Sequence, residues 1–69
     1  MYYEKDVVIL ATKEKETLRN TFLYLIPKKE FVICSDFEIL EDKRVTWNWG
    51  HYYFKEDFKE AFEFFYNNK

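Results

Sequence analysis

Thr17-Leu18-Arg19-Asn20-Thr21-Phe22-Leu23-Tyr24-Leu25-Ile26-Pro27-Lys28-Lys29-Glu30-Phe31-Val32-Ile33-Cys34 is the stretch whose reading decides the fold. Two readings of its first half are open. Leu18, Phe22, Leu25 and Ile26 fall at helical spacing, and Pro27 would end a helix there. Against a helix stand Thr17, Asn20, Thr21, Phe22 and Tyr24, all middling or poor helix formers. Thr21–Ile26 also has strand composition, Pro27–Glu30 suits a hairpin loop, and Phe31–Cys34 is strand-like again. The hairpin is the favoured reading.

The elements on either side fit a sheet. Asp6–Thr12 is a short run rich in β-branched residues and reads as a strand; Lys13–Glu16 reads as a solvated loop. Beyond the hairpin, Ser35 and Asp36 suit a kink or bulge before Phe37–Leu40, and Glu41–Arg44 a charged turn. Val45–Phe54 reads as one strand, with Val45, Trp47 and Trp49 on one face and Gly50 at a bulge or close backbone approach. Lys55–Tyr66 is the clearest element. Phe58, Ala61, Phe62, Phe65 and Tyr66 form an apolar stripe at helical period, while Glu56 and Asp57 in the first turn suit the helix dipole. Asn67-Asn68-Lys69 is a natural stop. The expected architecture is α+β: one domain over residues 1–69, an antiparallel β-meander of three to four strands, and one C-terminal amphipathic helix packed on one face. The other face is expected to stand open to solvent.

Composition sharpens the question of function. A chain of 69 residues buries only about 60 % of its unfolded surface. Yet 48 % of this one is hydrophobic and 23 % aromatic, so some aromatic surface should be left outside. Cys34 is the only cysteine and His51 the only histidine, so neither an internal disulfide nor a zinc site is expected. No Gly-rich phosphate loop exists, and no cofactor is expected. The close carboxylate pairs Glu41-Asp42 and Glu56-Asp57 read as a solvated turn and a helix start, and Cys34 with His51 as a buried hydrophobe and a packed ring. The chain is therefore not expected to be an enzyme. No apolar run long enough to span a membrane and no signal peptide is visible, and a lone thiol suits a reducing compartment, so the expected location is cytoplasmic.

The leftover aromatics point to binding. Tyr52 and Tyr53 are neighbours on a strand and cannot both face inward; Phe64 lies off the main helix stripe, and Tyr66 extends it. With Tyr24 and Trp49 they are the interface candidates. Trp47 and Trp49 are expected mainly to pack beneath the helix against Phe58, Phe62 and Phe65. The leading expectation is a non-enzymatic protein-binding module, partnered by another protein or by itself as a homodimer. The acidic, Lys-, Asn- and Phe-rich composition suits a small accessory or inhibitor protein of the phage or mobile-element type. A structural subunit of a larger assembly is a further reading.

Nucleic acid is the alternative partner. Trp47, Trp49, Tyr52 and Tyr53 offer stacking platforms on an open sheet, and Lys28, Lys29, Lys43 and Arg44 offer phosphate contacts from two turns. A meander followed by a helix resembles, in order of elements, the PC4-like single-strand-binding domains, which dimerise through their helices and present curved sheets to DNA. The resemblance carries no residue over. The net charge of −2 opposes it. A labelled oligonucleotide titrated at low and then higher salt decides the matter: salt-sensitive binding is the signature of this alternative, and no binding at low salt removes it.

Overall fold

The computed structural model describes residues 2–67. It is an α+β arrangement: a four-stranded antiparallel sheet and a C-terminal helix. The strands are β1 (Val7–Lys15), β2 (Leu18–Leu25), β3 (Glu30–Ser35), β4 (Glu38–Ile39), β5 (Val45–Thr46) and β6 (Gly50–Phe54); the helix α1 spans Phe58–Asn67. The main sheet runs β1-β2-β3-β6, with β4 and β5 forming a separate hairpin between β3 and β6. The proposed stop at Asn68 and Lys69 lies outside the described residues.

The hairpin reading of Thr17–Cys34 holds. Phe22 lies opposite Ile33 and Leu23 opposite Val32, with the turn at Ile26–Lys29. β2 and β3 are the central strands, and their middles, Phe22–Leu25 and Phe31–Cys34, read as unbroken apolar runs because both of their faces are covered. Phe22 and Ile33 join Ala61 and Phe65 of the helix in one core cluster; Leu23, Leu25, Val32 and Cys34 join Phe37 and Val45 in a second, on the opposite face.

That second face corrects the expectation of an open sheet. The β4–β5 hairpin and the N-terminal segment fold over it, because Phe37 and Val45 have no other apolar surface to meet. Val45 N–H donates to the Tyr2 carbonyl at 3.0 Å and Glu4 N–H to the Lys43 carbonyl at 2.7 Å, tying the hairpin to the start of β1. The base of the excursion is closed by Ser35 N–H to the Trp49 carbonyl at 3.1 Å and Asn48 N–H to the Ser35 carbonyl at 3.0 Å.

Two further expectations change. Lys13–Glu16 is not a loop: β1 continues through Lys15, and only at Glu16 does the chain turn. A solvated edge strand carries alternating charges as readily as a loop does. Val45–Phe54 is not one strand either. β5 ends at Thr46 and β6 begins at Gly50, in different sheets, so the alternation of Val45, Trp47 and Trp49 does not define a common face.

The chain has one glycine, and its turns are made without it. Glu16, Lys29, Asp36 and Lys43 all adopt left-handed backbone, with φ of 55, 52, 55 and 73°. Gly50 serves close approach instead. A Cβ there would stand 2.7 Å from Val32 Cγ2 and 3.4 Å from Trp47 Nε1. Val32 is fully buried and has no room to yield. Gly50→Ala is expected to destabilise the fold by about 1–3 kcal/mol, read as a lower midpoint in thermal unfolding followed by circular dichroism; an unchanged midpoint would contradict this packing.

Candidate functional site

α1 leans across the sheet with Ala61 and Phe65 buried against it. Lys13 of β1 anchors its end: the ammonium donates to the Phe65 carbonyl at 2.9 Å and to the Tyr66 carbonyl at 3.4 Å, a cation placed on the negative pole of the helix. Ten residues of helix cannot cover a sheet face of four strands. A strip of that face between α1 and β1 is left uncovered.

The strip is an apolar groove of about 160 Å³ lined by Leu10, Ala11, Phe22, Phe58, Phe62 and Tyr66. Its walls are far from buried: Leu10 is 44 % exposed, Phe58 43 %, Phe62 46 % and Tyr66 51 %, with Val8 at 43 % nearby on β1. Two facts of local geometry build it. The β1–β2 register slips between Ile9 and Ala11, and this bulge puts the consecutive residues Leu10 and Ala11 into one lining. On the helix, Phe58, Phe62 and Tyr66 recur every four residues and form a ladder of rings, with centroids 6.0 Å and 4.6 Å apart. The ladder continues over the sheet through Phe31, 5.0 Å from Phe58, to Tyr24, 5.0 Å from Phe31.

The expected interface residues are thus divided. Tyr66 lines the groove, and Tyr24 lies beside it against Phe31. Phe64, expected outside, is half-buried, its ring 4.7 Å from His51 and 6.4 Å from Tyr53. Tyr53 is half-buried as well, and burial and the nearby Glu60 raise its pKa. Trp49, 48 % exposed, stands edge-on to His51 at 5.2 Å, on the far flank of the helix from the groove. Tyr52 is on the opposite sheet face, accepting a hydrogen bond from Trp47 Nε1 at 3.1 Å. Neither Trp packs beneath the helix against Phe58, Phe62 and Phe65: Trp47 stacks on Tyr2 and Phe37 in the second core, 6.1 and 6.3 Å between centroids. Phe58 and Phe62, read from sequence as core, are instead the most prominent walls of the groove. The signal that could have found them is the width of the helix stripe, five apolar positions in nine residues, more than a small sheet can bury.

The charged candidates do not converge on the groove. Lys28 and Lys29 occupy the β2–β3 turn and Lys43 and Arg44 the β4–β5 turn. Arg44 is held by Asp42, Nε to Oδ2 at 2.6 Å, and Lys43 lies 3.8 Å from Glu4. The backbone N–H of Arg44, then its side chain, hold the Asp42 carboxyl below its ordinary pKa. A shallow depression of about 330 Å³ beside that turn is lined by Tyr3, Glu4, Lys5 and Lys43, with Lys43 and Glu4 paired at its rim.

Cys34 and His51 cannot act together. Cys34 points into the second core and donates its thiol to the Thr21 carbonyl at 3.6 Å, whereas His51 stacks with Phe64 on the helix side of the sheet. Among the described residues, no group of three or more His, Cys, Asp or Glu side chains is placed to hold a metal ion. No helix among them is long and apolar enough to cross a membrane. No protein-family model matches the chain, and neither a curated protein nor a solved structure matches it.

Burial pushes the Cys34 thiol up to about 12 from an ordinary 9.0. At pH 8 about one thiol in ten thousand is then ionised, so a disulfide exchange reagent is expected to leave the native protein unmodified and to react fully in denaturant. The unfolded thiol releases its proton near 9.0 while the folded one keeps it, so stability is expected to fall as pH rises from about 9 toward 12. Fast native labelling at pH 8, or a melting temperature that does not fall across that interval, would contradict the burial.

Proposed function

We propose that this chain is a non-enzymatic protein-binding module that docks partners in the groove between β1 and α1. The observation that carries the reading is the contiguous run of half-exposed apolar side chains: Val8 and Leu10 from the strand, Phe58, Phe62 and Tyr66 from the helix. They present about 400 Å² of apolar surface on one side of the sheet, in the size range where the largest exposed patch of a monomeric protein is often functional. The lining suits a protein rather than a polar substrate. Its hydroxyl at Tyr66 is the only polar side-chain group among the lining residues, so it has little with which to orient a reacting small molecule. Rigid rings that need little ordering on contact are the usual anchors of protein interfaces.

A small accessory or inhibitor protein, of the kind phage and mobile elements carry, is the form of this role that the acidic, aromatic-rich composition suits. Such a protein acts by occupying a surface.

Replacing Phe62 by a photoreactive benzoylphenylalanine tests the reading in cells of the native host. Irradiation is expected to yield a discrete protein adduct, with a second copy or with another chain. The same residue at Glu60, which lies on the Tyr53 flank of the helix, is expected to yield none. Absence of any protein adduct at position 62, or equal labelling at both positions, would overturn it.

A further inference from the structure

The geometry points to a second copy of this chain as an occupant of the groove, docked antiparallel along β1 about a two-fold axis through the Ile9–Leu10 bulge. The inference rests on the groove being a docking surface and adds its partner and register.

β1 is an edge strand, and the longest strand of the sheet at nine residues. An edge of that length offers a row of backbone N–H and C=O groups to any strand that comes alongside, and proteins usually blunt such edges with proline, charge or a covering loop. The Val7–Ala11 half has no proline and no charge, and it exposes Val8, Ile9 and Leu10, at 43, 50 and 44 %. The opposite edge, β6, has only five residues.

The bulge selects the register. Val7 belongs to the second core and Ala11 to the helix-side core, so side chains point to the helix side at Val8 before the bulge and at Ala11 and Lys13 after it. A second β1 run antiparallel with its own bulge at the same level sets Val8 against Ala11 of the second copy, both on the helix side, and Val7 against Thr12 of the second copy on the other. In an unbulged strand that register would set opposite faces together. The pairing ends at Val7, because Glu4–Asp6 turns away from the strand as a short 3-10 helix.

The area is sufficient. Val8 and Leu10 of each copy come against Phe62 and Tyr66 of the other. About 400–500 Å² of apolar surface with a polar rim in the usual proportion makes about 700–800 Å² per copy, the size of an ordinary stable interface. The two sheets join into one, with both helices on the same side.

Light scattering on the purified chain is expected to show a dimer at micromolar concentration. Leu10→Cys is expected to form an intermolecular disulfide on mild oxidation, because the axis sets the two copies of this position side by side, while Cys34 is buried and does not compete. Glu14→Cys, far from its own symmetry mate, is expected to remain reduced. A monomer at all concentrations overturns the second copy as occupant, and photoadducts at position 62 with other proteins would then leave the docking groove standing. A dimer that cross-links through Glu14→Cys and not Leu10→Cys overturns the register.

Discussion

Leu23 and Val32 face one side of the β2–β3 pair, Phe22 and Ile33 the other, and none of the four is more than 2 % exposed. A strand pair that is apolar on both sides must be covered twice. This chain has one helix, so it covers the first face with α1 and the second with whatever else it has. That is the physical reason for the long excursion between β3 and β6. The β4–β5 hairpin and the residues before β1 together do the work of a second layer, with Trp47 roofing the junction between Tyr2 and Phe37.

Double coverage spends the apolar surface of a short chain in the middle of its sheet and leaves its margins thin. The Cα envelope is 34 × 31 × 16 Å, a slab rather than a ball. In a slab, residues at the rim have neighbours on fewer sides, and large rings there remain partly wet whatever their sequence pattern. The groove between β1 and α1 lies at such a rim. Its apolar character follows from the demand for rings to bury the centre, and its openness from the shortage of chain to close the edge.

Much of this was legible in the residues. The β2–β3 hairpin, the helix, the charged turn at Glu41–Arg44 and the close approach at Gly50 all follow from composition and spacing, because each is determined by nearby residues. What was not legible depends on which elements meet. Period-two alternation over Val45–Trp49 identifies extended chain, but not that the chain leaves one sheet and joins another. The stripe on α1 fixes which residues share a side, yet its centre can rotate. The structure seats Ala61, Phe64 and Phe65 toward the sheet and leaves Phe58 and Phe62 half exposed at its margin, Phe58 with its ring against Phe22 and Phe31. Lys13 was misplaced for a related reason. Its charge marked it as solvated, and only the fold shows that its ammonium caps a helix 52 positions away.

The left-handed residues that close the turns have a consequence for how the molecule loosens. Glu16, Lys29, Asp36 and Lys43 each hold a backbone state that costs about 1 kcal/mol for a residue with a Cβ. No local chemistry favours that state at the two lysines, so the strands on either side impose it. The turns are therefore followers of the ladders and not their templates. When thermal motion opens the last rungs beside such a turn, the residue relaxes into right-handed backbone and resists re-closing. Breathing of this protein should thus begin at the ends of its hairpins and travel inward, and it should stop at the doubly covered rungs of β2 and β3.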